Sequence, residues 1–214
     1  MMKLHDYWRS GASYRVRIAL NLKGLAYAQI GHDLRTGAQR AADYVAINPQ
    51  GLVPTLEFDD GSIGTQSLAI LERIEEENPA PPLLPAGTAD RAIVRAMAGI
   101  VACDIHPINN LRILTALRRD LHASEDQASA WIARWIGEGF AALEQLIARH
   151  GGTYAFGDTP TFADCCLVPQ VYSAERFAVP LEAFPRLVAA VTAARALPAV
   201  AAAHPDRQPD ADRS

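Results

Sequence analysis

The sequence predicts an α+β first half followed by an all-helical second half. Three observations carry this prediction. Short strand-like runs alternate with helical patterns up to about residue 77. A proline-rich stretch follows. Beyond it, every periodic segment repeats at helical spacing, with no strand signal.

Residues 3–7 (KLHDY) are short enough for a first strand. Residues 13–23 (SYRVRIALNLK) place Val16, Ile18, Ala19, Leu20 and Leu22 on one broad apolar helix face. Gly24 is placed to end that helix. Residues 26–30 read as a second strand. The polar stretch 31–40 leads to a weak helix over 38–45. Asn48-Pro49-Gln50-Gly51 is a turn signal. Residues 53–58 (VPTLEF) form a strand entered through Pro54, Asp59-Asp60-Gly61 turns the chain, and 62–64 begin the return strand. Ser67 then caps a helix running to 77. The order β-α-β-α-β-β-α combines a parallel crossover with an antiparallel hairpin, so it predicts a mixed four-stranded sheet with helices on both faces.

Asn78 to Gly87 (NPAPPLLPAG) holds four of the 14 prolines. Proline fixes φ and stops helices, so 79–87 reads as a linker between domains 1–78 and 88–214. Residues 89–117, 125–150, 161–176 and about 184–203 are the predicted helices of the second domain. Thr161-Phe162-Ala163-Asp164 has the spacing of a capping box, a structural motif. The charged tail after Pro205 is expected to fray.

The 214 residues are half hydrophobic, enough for one large or two modest cores. The net charge of −4, with both signs interspersed, gives no clustered basic surface for nucleic acid. No apolar run approaches the roughly 20 residues that cross a membrane. The polar Met1–Trp8 stretch predicts no signal peptide, and the expected location is cytoplasmic. Cys103, Cys165 and Cys166 are odd in number and lack CxxC spacing, so they read as reduced thiols rather than disulfides or zinc ligands.

Four segments could carry chemistry. Arg9-Ser10-Gly11-Ala12-Ser13 lies where the first strand gives way to the first helix. Backbone N–H groups there attract anions, and Ser10 could donate a hydrogen bond to one, or Ser10 or Ser13 could be a plain cap. Leu52-Val53-Pro54 could contain a cis peptide. That would leave the Val53 N–H and C=O to pair with an extended ligand; an ordinary edge proline is the other reading. Gln66-Ser67 offers a hydroxyl, an amide and helix N–H groups to a carboxylate, or is an ordinary cap. In Cys103 to Arg112 (CDIHPINNLR), His106 and Asn110 are four apart and would share a helix face, though Pro107 disturbs that helix.

Together these segments resemble the zeta class of glutathione transferases, across essentially the whole chain. The resemblance rests on Trp8-Arg9-Ser10, Arg15-Val16-Arg17-Ile18-Ala19-Leu20, Asn48-Pro49-Gln50, Val53-Pro54-Thr55-Leu56 and Gln66-Ser67-Leu68-Ala69-Ile70. In the second half it rests on Asp104-Ile105-His106-Pro107-Ile108-Asn109-Asn110 and Gly157–Asp164. It implies a thioredoxin-like first domain, an all-α second domain and a homodimer. It also implies glutathione as cofactor, held by Ser10, Gln50, Val53, Pro54, Gln66, Ser67, His106 and Asn110. The family's usual Ser-Ser-Cys is Ser10-Gly11-Ala12 here, so any role of that cysteine is absent. Isomerisation needs only the sulfur of glutathione.

The implied reaction is the cis–trans isomerisation of maleylpyruvate to fumarylpyruvate by reversible thiolate addition. Maleylacetoacetate as substrate, conjugation or dehalogenation, and a non-catalytic binding module are the alternatives. A diketo-acid dicarboxylate calls for cations, and the candidates are Arg9, Arg112 and Arg176, with Ser10 steadying the sulfur.

Overall fold

A computed structural model describes residues 1–212 and divides the chain into two compact units. One comprises Met1–Leu83 with the segment from Ala196 onward; the other comprises Leu84–Arg195.

In the first unit, strand β1 (Met2–Asp6) pairs in parallel with β2 (Tyr27–Gly31) and antiparallel with β3 (Thr55–Glu57), which pairs antiparallel with β4 (Ile63–Thr65). The sheet order is β2-β1-β3-β4, the mixed sheet expected from the sequence. Helix α1 (Gly11–Leu22) makes the parallel crossover, and the chain then turns at Gly24, with φ +67°. The short α2 (Ala42–Ile47) follows a single 3-10 turn, and α3 (Ser67–Glu77) follows the hairpin.

α1 is buried more completely than one apolar face requires. Every residue from Ser13 to Leu20 is buried, Arg15 and Arg17 included. The helix packs against α3 and the later α9 (Pro198–Ala202), so it has few exposed positions. Arg17 is accommodated because each end of its guanidinium has an acceptor. It donates to both carboxylate oxygens of Asp6 at 2.8 Å, to the Trp8 carbonyl at 2.9 Å and to the Ala203 carbonyl at 3.0 Å. A charge so buried is tolerated only when paired and hydrogen-bonded.

The proline-rich segment begins as part of this unit. Lys23 Nζ donates to the Asn78 and Pro81 carbonyls, both at 2.6 Å, and pairs with Glu75, whose carboxylate also accepts the Leu83 N–H at 3.0 Å. The unit therefore extends to Leu83, past the expected boundary at 78.

His5 bridges two partners across the sheet. Its Nδ1 lies 2.9 Å from His32 Nε2 and its Nε2 lies 2.8 Å from a Glu57 oxygen. Burial, and then the neighbouring His5, push the His32 pKa below its ordinary value. A histidine whose folded pKa lies below its unfolded value contributes stability above the unfolded value, about 6.5, and loses it as pH falls through the folded one. Unfolding in denaturant at pH 7.5 and 5.5 is expected to show a smaller acid loss for His32→Gln than for the parent chain; equal losses would remove His32 from the pH response.

The second unit is helical. α4 (Thr88–Gly99) passes into a π-helical segment, Ile100–Ile105, then a 3-10 turn, Pro107–Asn109, and α5 (Leu111–Asp120). The single helix expected over 89–117 is thus broken. Pro107 has no N–H to continue the ladder. The π segment presses Ile105 against Gly139 of α6 (Glu125–His150), where a Cβ would lie 2.3 Å from Ile105 Cδ1. Trp131 Nε1 donates to the Ile108 carbonyl at 3.0 Å and holds the 3-10 turn on α6. A capping box at Ser124 and Gln127 starts α6.

α7 (Phe162–Arg176) begins with the expected capping box. α8 (Pro185–Arg195) ends two residues before α9, which starts afresh at Pro198, so the helix expected over 184–203 is two helices. Its second part and the following tail pack with the first unit, where Arg17 meets Ala203. The C-terminal boundary of the helical domain therefore falls at Arg195 rather than at the chain end.

Candidate active site

In the first unit the expected glutathione residues come from three places on the same fold. Ser10 sits at the N-cap of α1, with extended dihedrals, and its Oγ accepts the Ser13 N–H at 3.2 Å. Its N–H donates to the Tyr7 carbonyl at 2.8 Å and its carbonyl accepts from Tyr14 at 2.9 Å. Capping and anion binding are compatible here. The hydroxyl accepts one bond as a cap and keeps its hydrogen to donate. The first amides of a helix, here Gly11 and Ala12, have no intrahelical acceptor. Both residues are half-buried and small, which allows close approach to the backbone. Arg9 lies 5.1 Å from the Trp8 ring centroid.

The Val53–Pro54 peptide is cis. Among the described residues neither the N–H nor the C=O of Val53 makes a hydrogen bond. The preceding carbonyl, of Leu52, is held by the Tyr44 hydroxyl at 2.6 Å and by Asn48 Nδ2 at 2.8 Å. Asn48 Nδ2 and the Tyr44 hydroxyl also reach Thr55 Oγ1, at 3.0 and 2.9 Å. The turn signal of Asn48-Pro49-Gln50 thus serves to fix the loop that presents Val53. That role was not legible from the turn residues alone.

Ser67 does not cap α3. It is the first helical residue, and Gln66 occupies the cap position with φ +65°, uncommon for a residue with a side chain. Gln66 Nε2 donates to Gln50 Oε1 at 2.7 Å, joining two of the expected glutathione residues. Ser67 Oγ accepts from the buried Arg15 guanidinium at 3.1 Å. Arg15 thereby occupies a lone pair of Ser67 and leaves the hydroxyl hydrogen for another acceptor. The sequence marks Arg15 only as a residue of the α1 motif; its burial is a tertiary property.

In the second unit His106 and Asn110 do not share an α-helical face, because the chain between them is a π end followed by a 3-10 turn. His106 is half-buried and donates its N–H to the Val101 carbonyl at 2.9 Å. Asn110 is the N-cap of α5, accepting from the Arg112 and Ile113 amides at 3.1 and 3.3 Å. Arg112 is exposed. Asn109, beside Asn110, is buried, with neither amide atom hydrogen-bonded among the described residues. Two adjacent asparagines in an apolar helical region were the available signal. Arg176 ends α7, exposed, with its guanidinium 4.8 Å from the Phe177 ring centroid.

The family model for the glutathione S-transferase N-terminal domain matches residues 9–77, and that for the C-terminal domain matches residues 129–202. The chain is 49% identical to a maleylacetoacetate isomerase of Pseudomonas aeruginosa over 98% of each chain. A holo structure of maleylpyruvate isomerase, described as a bacterial glutathione S-transferase in the zeta class, matches with TM-score 0.95 and 48% identity, over 98% of this chain and 100% of that one. The chain belongs to the zeta class of glutathione S-transferases. A maleylacetoacetate isomerase of Anaeromyxobacter dehalogenans, with glutathione bound in its active site, matches at 43% identity and TM-score 0.90, over 99% of this chain and 98% of that one. For the zeta-class protein this establishes the thioredoxin-like and all-helical fold and the use of glutathione. Ser10 keeps the cap of α1, while Ala12 brings no thiol to its first turn.

Proposed function

We propose that this glutathione-dependent isomerase acts on maleylpyruvate and converts it to fumarylpyruvate. The carrying observation is Ser10 at the head of α1, beside helix amides with no intrahelical acceptor and with no cysteine at position 12. Such a site stabilises a sulfur anion that the protein does not itself supply. Glutathione, when bound, would supply the nucleophilic thiolate for reversible addition to the cis double bond.

The groups present fit that cofactor. Val53 offers an unpaired N–H and C=O to an extended peptide, while Pro54 shapes the loop. Ser67, with its hydroxyl directed by Arg15, and the joined Gln66 and Gln50 are assigned the γ-glutamyl carboxylate. Ser10 and the start of α1 lower the thiol pKa; one unit corresponds to about 1.4 kcal/mol. His106 and Asn110 are assigned to orient glutathione or the substrate.

Arg9, Arg112 and Arg176 are assigned the substrate carboxylates and the charge that develops on the keto group, since a guanidinium fork grips a carboxylate with two bonds. Arg176→Ala is expected to raise KM for the diketo acid about tenfold, equivalent to one lost carboxylate contact of about 1.4 kcal/mol. An unchanged KM would return Arg176 to a surface role.

The second reading is the same chemistry on maleylacetoacetate, since the Pseudomonas aeruginosa maleylacetoacetate isomerase and a maleylpyruvate isomerase of Ralstonia are each 49% identical to the chain. The two substrates differ by one methylene, worth about 1–3 kcal/mol of discrimination. Comparing kcat/KM for the two diketo acids, each followed by ultraviolet absorbance with and without glutathione, tests both. A higher value for maleylacetoacetate overturns the first reading, and no glutathione-dependent change with either acid overturns both. The protein is further proposed to work as a cytoplasmic homodimer, which sedimentation and fractionation check. Among the described residues no helix is long and apolar enough to cross a membrane.

A further inference from the structure

The tail after Pro205, expected to fray, is docked over its described residues. Gln208 is buried, and its side-chain amide donates to the carbonyls of Ala202 at 3.0 Å and His204 at 2.7 Å. Its side-chain oxygen accepts from Gln29 Nε2 at 2.9 Å, and the same Gln29 nitrogen donates to Asp6 Oδ2 at 2.9 Å. Two residues on, Asp210 Oδ2 accepts the Trp8 N–H at 3.0 Å. Its carboxylate lies over Gly31, where a Cβ would come within 3.3 Å of that oxygen. Arg35 then pairs with both Asp33 and Asp212.

These contacts converge on the short loop between β1 and α1 that carries Arg9 and Ser10. Tyr7 N–H donates to Asp6 Oδ1 at 2.7 Å, and the Tyr7 carbonyl accepts from Ser10 at 2.8 Å. The Trp8 carbonyl accepts from Arg17 at 2.9 Å while its N–H is taken by Asp210. Trp8 is thus held from two directions. One hold is the core ion pair of Asp6 and Arg17; the other is the tail.

We propose that the C-terminal tail, through Asp210, positions the Ser10 loop and is a working part of the active site. Asp210 touches no reacting atom. It acts through the backbone of Trp8, two residues before the serine. A hydrogen bond to a charged acceptor is stronger than a neutral one, and removing it hands the Trp8 N–H to water and loosens the loop. Small misplacements of a donor are costly because the oxyanion or thiolate must meet it at hydrogen-bond distance. Gln208 is the anchor that delivers Asp210 to this position.

The inference rests on Ser10 steadying the glutathione sulfur, and the experiment separates the two ideas. Asp210→Ala, Asp210→Asn and a chain ending at Pro209 are compared with the full chain for kcat, KM, thermal unfolding and the ultraviolet titration of bound glutathione thiolate. Asp210→Ala and the shortened chain are expected to lower kcat about fivefold and to move the thiol titration to higher pH, with KM for the diketo acid little changed. Asp210→Asn keeps an oxygen acceptor and is expected to restore most of both. Unchanged kcat and titration in Asp210→Ala, with or without a lower unfolding temperature, would overturn the proposal by reducing the tail to a stabilising contact. Equal behaviour of Asp210→Ala and Asp210→Asn would also overturn it. If glutathione bound to the parent chain ionises no more readily than free glutathione, the Ser10 reading fails first.

Discussion

Ser10→Ala is expected to cut turnover by about tenfold to a hundredfold while the chain still folds, because the variant loses the hydroxyl aimed at the sulfur. Ser10 caps α1 and is proposed also to donate to the glutathione sulfur, and the measurement has to separate the two. As N-cap of α1 its Oγ accepts the Ser13 N–H, and losing a cap costs about 1 kcal/mol of stability. As the proposed donor to a thiolate it would shift the ionisation of glutathione. The cap loss shows as a lower unfolding midpoint, and the donor loss shows as a thiol titration moved to higher pH. Ser10→Gly keeps much of the capping preference without the hydroxyl. It is therefore expected to unfold close to the parent chain yet to be as slow as Ser10→Ala. Full activity in Ser10→Gly would remove the hydroxyl from the mechanism and leave only the helix start.

The largest stability loss is expected at Asp164. Its carboxylate is 2% exposed and accepts from the Thr161 N–H at 2.8 Å, the Ala155 N–H at 2.9 Å and the Thr161 hydroxyl at 3.1 Å. Alanine there leaves those buried donors without an acceptor, at about 1–3 kcal/mol for each group left unsatisfied. Asp164→Ala is therefore expected to lower stability by about 3 kcal/mol or more, read by denaturant unfolding. Burial pushes the Asp164 pKa up to about 6, against the hydrogen bonds from Ala155 and Thr161. The folded value then lies above the unfolded one, near 3.9, so the protonated group favours the fold. That contribution is complete below about pH 4 and is lost as pH rises through about 6, a change of roughly 3 kcal/mol. Asp164→Asn does not titrate, so its stability relative to the parent chain is expected to improve between pH 4 and pH 7. A constant difference would mean that Asp164 stays ionised across that range.

Much of the framework was legible because it is encoded locally. The order of elements follows from hydrophobic period and from turn residues such as Gly24 and Asp59-Asp60-Gly61, and α7 starts at a recognisable cap. The motif residues of the first unit were also legible, since Ser10, Val53-Pro54 and Gln66-Ser67 sit at strand ends and helix starts. The region from Ile100 to Asn110 was misread as one helix. Its π and 3-10 geometry depends on the close approach of Ile105 to Gly139 in α6, 34 residues along the chain, as much as on Pro107. The tail was misread for a related reason. Nothing near Gln208 or Asp210 in the chain announces that Gln29 and Trp8 will bind them.

By itself the sequence determined the mixed sheet and the helical second half, and it placed Ser10, Val53-Pro54 and Gln66-Ser67 at strand ends and helix starts, because period, capping and turn chemistry act between neighbours in the chain. Only the tertiary structure decided that Gln66 rather than Ser67 takes the cap position of α3, that Arg15 directs the Ser67 hydroxyl, and that Asp210 reaches the loop carrying Ser10. Each of these sets a buried or constrained polar group against a partner distant in sequence. Such pairings are selected by the desolvation cost of leaving the group unmet, a quantity that exists only once the chain has packed.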